Sequence, residues 1–547
     1  MNREDFLDKI KIDVTNLLSD TKLINNKNQL FAWKLNTRFK RTFKEDYLWN
    51  QSLFLCTNSC LLLQENDDEK VALQGLFVSA EIFQYLSESK ELLEQFDKDY
   101  LTILAAICYD IAGYQANALC LASRIIEYEL ITGDQRIDLT MDNCIIDQIR
   151  LILTKNIPYA EIRLRRYNIY QNEGFLFFYS AMKSWYSFIF KQDTTQYLND
   201  MERAYRYYLN IGNVYISHLL LLLKTRLSLF DKRSIHKGLY IQLNDTLNYQ
   251  WKKYIKLLAY DYYDKNNIKP IEERKSLFEF WTSQLRALEK GLLTKDEDFI
   301  VQMPTSSGKT FIAELLILKY LNLRPEKKCI YIAPFRALTN EKENEFGKYF
   351  SKLGYVVSSL SGSYEIDAFQ DVVLSETNLL IATPEKIDCL LRFSPDYFDN
   401  ISLIVVDEGH IISDFSRRAT LLEFLLIRLR IKIKGLKTLF ISAVMPPKNA
   451  NEYSLWLSGT EENVFRSLKY KDSDILDEWE PTKKLISYFK NGNIFFKDIK
   501  FNDEQSNKQV GAILNSYLKP EFEIKGNITK IEIAAKLAYK LSEDGKL

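Results

Sequence analysis

The sequence predicts an α-helical array in its N-terminal half, followed by an α/β domain whose parallel sheet carries helices on both faces. Residues 1 to about 265 place apolar side chains at helical spacing, with few Gly or Pro and no persistent alternation of period two. A polar break follows at 264–275, after which short β-rich runs alternate with helical stretches. Such alternation is typical of parallel sheets, whose functional groups lie at the carboxyl ends of the strands.

The composition excludes some classes of protein and leaves others open. Lys plus Arg and Asp plus Glu both number 73, so the net charge is zero and any nucleic-acid surface must be a local patch. The N-terminal residues contain no apolar signal-peptide core, and the apolar run from Leu219 to Leu223 is far too short to cross a bilayer. We therefore predict a cytoplasmic protein with no membrane partner.

The helical array is predicted from faces such as Ile103, Ile107 and Ile111, which recur at helical spacing. Many Tyr and Phe residues lie between 168 and 263, and we interpret them as core residues rather than as rings that stack on bases. Because no clean repeat is found, we describe residues 1–265 as an irregular helical accessory domain whose function the sequence leaves open.

The α/β domain is predicted over residues 270–465, with a linker and the start of a further lobe over 466–547. Its strands are predicted from short apolar runs with helical stretches between most of them. The candidate strands are 298–303, 328–333, 355–360, 378–382, 402–407 and 437–442.

The first of these strands runs into the polar loop Pro304-Thr-Ser-Ser-Gly-Lys-Thr310, and a helical pattern follows it. Backbone N–H groups in such a loop converge on phosphate oxygens, and the start of the helix adds a partial positive charge. Lys309 can then reach the β- and γ-phosphates, and the Thr310 hydroxyl can ligate Mg²⁺. The pattern departs from the usual one at Met303, where Gly or Ala is common.

A second set of chemical groups follows the apolar run 403–406, where Asp407 and Glu408 emerge side by side. Asp407 can hold Mg²⁺ through water, while Glu408 can orient and deprotonate an attacking water. In-line phosphoryl transfer needs a metal and a positioned nucleophile, so adjacent carboxylates at a strand end suit that reaction.

The loop at 304–310 and the run Val406-Asp-Glu-Gly-His410 resemble motifs I and II of superfamily 2 DExH helicases. Further segments resemble the other motifs of the first motor lobe in the same order: Trp281–Gln284 the adenine-reading element, Ala333–Asn340 motif Ia, Ser361–Ser363 the short glycine motif, Ala382–Lys386 motif Ib, and Ser442–Val444 motif III. The segments Thr383-Pro-Glu-Lys386 and Trp479-Glu-Pro-Thr482 resemble motifs of the Ski2-like group. Val444 and Glu480 depart from the usual motifs.

The resemblance implies a RecA-like fold for residues 270–465 that binds ATP and Mg²⁺. It implies cofactor-binding roles for Gln284, Thr305, Ser306, Ser307, Gly308, Lys309 and Thr310, and metal-binding roles for Thr310 and Asp407. It implies catalytic roles for Lys309, Asp407, Glu408 and His410, and coupling of the two ligand sites through Ser442 and Ala443. Contacts to one strand's sugar-phosphate backbone are implied for Arg336, Thr339, Gly362 and Thr383.

A superfamily 2 motor needs a second lobe, whose arginines complete the ATP site. After residue 479 we find a polar stretch over 491–507 and a helical pattern over 530–541, with no arginine-rich motif following. We interpret the chain as truncated or as one half of a split motor. Because an arginine finger is worth about 10³–10⁵ in turnover, we expect this chain alone to hydrolyse ATP slowly.

Two functional hypotheses follow. The first is the N-terminal portion of an ATP-dependent helicase or translocase that moves 3′ to 5′ on single-stranded or tailed nucleic acid, DNA favoured over RNA, in repair or phage defence. The second is a nucleotide-gated interaction protein whose helical domain binds a protein partner such as a nuclease. A P-loop kinase is disfavoured by the segments that resemble motifs Ia and Ib.

Overall fold

The computed structural model describes most of the chain up to residue 466 and four short strands beyond it. The described ranges are 3–34, 44–65, 69–88, 97–125, 137–168, 172–191, 196–260, 275–304, 307–360, 374–413, 416–443, 445, 447–466, 468–471, 474–478, 487–490 and 493–496. The predicted linker residues 264–270, the segment 479–482 and the predicted helix 530–541 lie outside them.

The described residues before 261 fold into a succession of α-helices, as predicted. These helices are α1 (Arg3–Leu18), α2 (Thr21–Lys34), α3 (Glu45–Gln64), α4 (Glu69–Glu88), α5 (Lys98–Ile111), α6 (Gln115–Ala122), α7 (Met141–Leu153), α8 (Ile157–Arg166), α9 (Glu173–Lys191), α10 (Tyr197–Asn210), α11 (Val214–Arg233), α12 (Ile235–Leu243) and α13 (Tyr249–Tyr260).

Side-chain caps fix where several of these helices begin. The Asp97 carboxylate accepts hydrogen bonds from the backbone N–H groups of Asp99 and Tyr100 at the start of α5, and Asn156 caps α8 ahead of Pro158. Of the aromatic residues between 168 and 263, rings such as Tyr186 and Phe230 lie in the helical core, as predicted, although others such as Tyr249 are exposed at the surface.

A buried ion cluster joins the helical array to the segment that leads into the sheet. The Arg226 guanidinium on α11 donates to Asp110 on α5 at 3.1 Å and to both carboxylate oxygens of Glu279. Lys155 lies 3.3 Å from the same Glu279 carboxylate. Burial opposes ionisation, but the positive charges of Arg226 and Lys155 lower the pKa of Glu279 to about 2.

The second half of the chain alternates strands and helices around one sheet. The helices are α14 (Thr282–Glu289), α15 (Lys309–Leu323), α16 (Arg336–Leu353), α17 (Pro384–Phe393), α18 (Arg417–Lys432) and α19 (Pro447–Ser458). The strands are β1 (Phe299–Gln302), β2 (Lys328–Ile332), β3 (Val357–Ser359), β4 (Leu379–Ala382), β5 (Ile401–Val406), β6 (Lys437–Ser442), β7 (Val464–Arg466), β8 (Leu468–Lys471), β9 (Asp474–Glu478), β10 (Ser487–Lys490) and β11 (Asn493–Phe496).

The main sheet has the strand order β3-β4-β2-β5-β6-β1-β7, and all of its pairings are parallel. Successive residues of each strand point to opposite faces, so Leu403 and Val405 join one hydrophobic core while Ile404 and Val406 join the other. Burial on both faces explains why the strands read as continuous apolar runs. The predicted fold class and the six predicted strands are confirmed, and β7 was not predicted.

Two helices that precede the polar break contribute side chains to the hydrophobic core of the sheet. Leu239 on α12 and Trp251 on α13 belong to the same buried cluster as Ile312 and Leu315 on α15. The predicted boundary near residue 265 stays a prediction, but this packing shows that the core of the α/β region includes residues on its N-terminal side. The short strand β11 lies within the polar stretch 491–507.

No helix among the described residues is both long and apolar enough to cross a membrane.

Candidate nucleotide and nucleic-acid sites

The predicted phosphate loop connects β1 to α15 at the carboxyl edge of the sheet. Gly308 has φ +82°, and a Cβ added there would lie 2.0 Å from Nε2 of Gln284. The positive φ favours glycine at this position, and a larger residue would also have to displace the Gln284 amide. The Ser307 hydroxyl donates to the Pro304 carbonyl at 2.6 Å. Thr305 and Ser306, which were also predicted here, lie outside the described residues.

Gln284 lies against this loop with both ends of its amide engaged within the protein. Its Oε1 accepts a hydrogen bond from the Trp281 N–H at 2.8 Å, and its Nε2 lies 3.5 Å from the Gly308 carbonyl oxygen. The side chain is 3% exposed, so it is part of the support of the loop. The predicted contact of Gln284 with the adenine edge remains a prediction.

Lys309 begins α15, and its surroundings identify one cluster of charged groups. Its ammonium donates to the Met303 carbonyl at 3.4 Å. Burial lowers the pKa of Lys309, the carboxylates of Glu408 and Asp407 partly offset that effect, and the charge of Lys342 adds to it. The predicted lysine and both predicted acids therefore lie within electrostatic reach of one another.

Asp407 follows the central strand β5, and its carboxylate is held by two donors. The hydroxyl of Tyr331, a buried residue of the neighbouring strand β2, donates to Asp407 Oδ2 at 2.7 Å. The backbone N–H of Glu408 donates to Oδ1 at 3.0 Å. Glu408 itself adopts φ +50°, a conformation that costs a non-glycine residue energy and that is found disproportionately at functional sites.

The structure places His410 and Ser442 in contact, at the ends of β5 and β6. Nδ1 of His410 lies 3.0 Å from the Ser442 hydroxyl and 3.3 Å from Oε2 of Glu408. A residue that contacts both an acid of the nucleotide site and the end of the next strand can transmit a change between them. Ala443 follows directly on the chain and is partly buried, whereas Val444 lies outside the described residues.

A separate polar cavity of about 210 Å³ opens at the same edge of the sheet. Its lining residues follow β2, β4 and β5: Arg336, Thr383, Glu385, Lys386 and Arg418. Two of the four residues predicted to contact nucleic acid therefore share one cavity with two further cations. Gly362 lies outside the described residues.

Thr339 is not among the residues that line this cavity. It is buried on α16, and its hydroxyl donates to the Arg336 carbonyl at 2.7 Å. Glu385 lies in the first turn of α17, and Arg418 donates to its carboxylate at 3.1 Å. Burial would raise the pKa of Glu385, yet the hydrogen bond from Arg418 and further donors hold it below its usual range.

Three features of the site were missed from the sequence: Tyr331, Lys342 and Arg418. Lys342 on α16 donates to the Thr310 hydroxyl at 2.9 Å. A tyrosine in an otherwise apolar strand next to β5 is a signal that could have been read. Lys342 and Arg418 carry no such signal, because a cation on an amphipathic helix is usually exposed.

The residues present suit both ligands that the resemblance implies. The positive φ and crowding at Gly308 form a backbone cradle at the start of a helix, where phosphate binds well. Thr310 and Asp407 offer the hard oxygen donors that Mg²⁺ prefers, and few protein ligands are needed where phosphates supply others.

In this parallel sheet, strand β1 leads into a glycine-containing phosphate loop, and the central strand is followed by two adjacent carboxylates. These two features define a P-loop nucleotide-binding lobe. More specifically, residues 281–453 match the sequence model of the DEAD/DEAH box helicase family. The chain therefore carries a DEAD/DEAH box helicase domain, and together with the likeness to Hel308 helicases this confirms the predicted superfamily 2, Ski2-like resemblance. Helicases of this family use ATP, typically with Mg²⁺.

Among curated proteins, the chain is similar to the Hachiman protein HamB of Bacillus cereus, with 38% identity over 203 residues that cover 37% of this chain and 18% of HamB. It is 35% identical over 217 residues to the ATP-dependent DNA helicase Hel308 of Methanocaldococcus jannaschii, covering 39% of this chain and 16% of that protein. The solved structure of the DUF1998 helicase MrfA aligns with a TM-score of 0.32 and 19% identity over 49% of this chain and 40% of that one. The chain thus spans less than a fifth of the length of either curated relative.

Proposed function

We propose that this chain contributes the ATP-binding lobe of a helicase or translocase that moves on single-stranded or tailed nucleic acid. The observation that carries the proposal is the cluster of Lys309, Asp407 and Glu408 at the carboxyl edge of the sheet, which also holds the cation-lined cavity. Phosphoryl transfer and backbone tracking would then occur on neighbouring loops of one lobe.

Each group in the cluster has a role that follows from its position. The loop N–H groups and Lys309 bind the phosphates, while Thr310 and Asp407 would hold the metal. Bound Mg²⁺ supplies charge neutralisation to the phosphates. Glu408, close to His410, orients and deprotonates the attacking water, and the His410–Ser442 contact carries the change in the nucleotide site toward the strand ends.

We propose DNA rather than RNA as the polymer and 3′ to 5′ as the direction. The curated relatives named as DNA helicases support the first choice, and the Ski2-like resemblance supports the second. A role in repair or phage defence and a cytoplasmic location belong to the same proposal.

The first test is steady-state ATPase activity of this chain and of any longer product of its gene, with and without single-stranded DNA or RNA. We expect stimulation by DNA in the longer product, and loss of activity in Lys309→Ala and Glu408→Gln. Lys448→Ala is the matched control, because that side chain is 86% exposed on α19. An active Lys309→Ala protein would contradict the proposed site.

The cation-lined cavity gives a second test by nucleic-acid binding. Arg336→Ala and Arg418→Ala should weaken binding of single-stranded DNA of any sequence, because phosphate contacts position without reading bases. Each change should also reduce the dependence of log affinity on log salt by about one unit or less. Arg206→Ala on α10, whose side chain is 72% exposed, is the control. An unchanged salt dependence in both variants would exclude this cavity.

Direction is tested by strand displacement with the longer product. Duplexes that carry either a 3′ or a 5′ single-stranded tail are compared at saturating ATP. We expect displacement only from the 3′-tailed substrate, and preferential displacement from the 5′ tail would contradict the proposed direction.

A second candidate is the nucleotide-gated interaction protein, with the helical array as the binding surface. It is favoured by the turn between α10 and α11, where Leu209, Ile211, Val214 and Tyr215 are each more than half exposed. Clustered exposed apolar side chains often mark protein–protein contacts. If even the longer gene product ignores nucleic acid, this candidate replaces the first.

A further inference from the structure

Lys342 on α16 makes two contacts that place it beside the nucleotide site. Its ammonium donates to the hydroxyl of Thr310 at 2.9 Å and to Oε2 of Glu345 at 2.6 Å. The residue is only 8% exposed, and its charge acts on Lys309. A nearly buried cation therefore lies within the cluster that contains the catalytic acids.

The Thr310 oxygen is also the atom that would ligate Mg²⁺. A Mg²⁺ ion binds oxygen at about 2.0–2.1 Å, so an ion on Thr310 would lie no more than about 5 Å from an ammonium that is still bonded to that oxygen. At that separation a doubly charged ion and an ammonium repel each other enough to change affinity by about tenfold, even with the dielectric screening of bulk water. The lysine contact and the metal therefore compete.

We propose that Lys342 is a positioning residue for the metal site. It donates to the Thr310 hydroxyl until a divalent cation arrives with the nucleotide, and then remains paired with Glu345 alone. This inference rests on the proposed binding of ATP and Mg²⁺. It assigns to Lys342 a role that limits the preference of the site for metal-loaded over metal-free nucleotide. The Glu345 carboxylate receives the displaced charge, since it is already bonded to the lysine and is 44% exposed.

The experiment measures the dissociation constant of a fluorescent ATP analogue with excess Mg²⁺ and with EDTA, in the full chain. The readout is the ratio of the dissociation constant in EDTA to the dissociation constant in excess Mg²⁺. Lys342→Met removes the charge, so metal-free nucleotide loses an attractive cation and the metal loses a repulsive one. The ratio should rise about tenfold or more over that of the wild type.

Glu345→Gln should change the ratio in the opposite direction. Without the carboxylate, the charge of Lys342 is less compensated and repels the metal more strongly. We expect the ratio to fall by about threefold, a smaller change because Glu345 is partly exposed and its charge is screened. Lys352→Met is the matched control, since it lies ten residues along the same helix, about 15 Å away.

Equal loss of affinity with and without Mg²⁺ in Lys342→Met would overturn the inference, because it would show that the lysine binds phosphate directly. Unchanged affinity under both conditions would overturn the inference as well. Lys342→Gln is measured in parallel, with circular dichroism as the check that each variant is folded. If the wild type shows no Mg²⁺-dependent nucleotide binding, both the proposed function and this inference fail. If the wild type binds nucleotide with Mg²⁺ but the variants do not change the ratio as expected, only the inference fails.

Discussion

Glu314 on α15 provides a pH-dependent test of how the nucleotide-binding helix is packed. The side chain is 5% exposed, and burial raises its pKa to about 8. The nearby Tyr254 on α13 opposes the shift in pKa, as do the charges of Lys342 and Lys348, whereas the charge of Glu345 adds to it. Burial prevails, so the group is protonated in the folded protein at neutral pH.

The sign and size of the effect follow from this shift. Unfolded, the same carboxyl has a pKa near 4.5, the ordinary value for glutamate. Below that pH both states hold the proton and the group has no effect. As pH rises toward 8, only the unfolded state releases it, so stability falls, and above pH 8 the loss is complete. Between pH 5 and pH 8 the cost is on the order of 4 kcal/mol.

The assay is urea unfolding of the wild type and of Glu314→Gln at pH 5, 6, 7 and 8. We expect similar stability at pH 5, and at pH 8 a variant that is more stable by on the order of 4 kcal/mol. Glu341→Gln, an exposed change on α16, controls for the removal of one charge. A constant difference between Glu314→Gln and wild type across this range would refute the reasoning.

Three further changes test other parts of the structure. Gly308→Ala should weaken nucleotide binding at least about tenfold by equilibrium titration, because the new Cβ would clash with Gln284 and the positive φ disfavours alanine; near-normal affinity would contradict the described loop. Arg226→Met should lower the free energy of unfolding by about 3–5 kcal/mol in denaturant titrations, since Asp110 and Glu279 lose the buried positive charge that they share; a loss below about 1 kcal/mol would show that the cluster relaxes. Tyr331→Phe should reduce ATP turnover by about tenfold with little change in stability, because Asp407 loses an orienting donor; unchanged turnover would remove Tyr331 from the site.

The strands of the sheet and the helices between them were predictable because their signal is local. Each strand is a short apolar run, and helical stretches separate most of the runs, so the order of elements follows from spacing alone. The edge strand β7 was missed because it has only three residues, too few for any periodicity. The sequence likewise gave no sign that α12 and α13 pack on the sheet, because an apolar helix face does not specify its partner.

The residues of the candidate site also fall into those that could be predicted from the sequence and those that could not. Lys309, Asp407 and Glu408 were found because each lies in the segment that follows a strand, within a short recognisable run. Lys342 could not be found so, because its contact with Thr310 depends on how α16 packs beside α15, which is tertiary information. The predicted site roles themselves remain predictions, whereas the proximity of these groups is a property of the structure.

The core that α12 and α13 share with the sheet has a consequence for how the protein folds during translation. Residues 235–258 leave the ribosome well before the rest of the buried cluster to which they belong, so Trp251 and Leu239 cannot reach their final burial while the chain is short. At about 5–20 residues per second, the wait until β6 has been made lasts roughly 10–40 seconds. During this interval the nascent chain presents an apolar surface that chaperones can recognise, and the α/β core closes only after translation has passed β6.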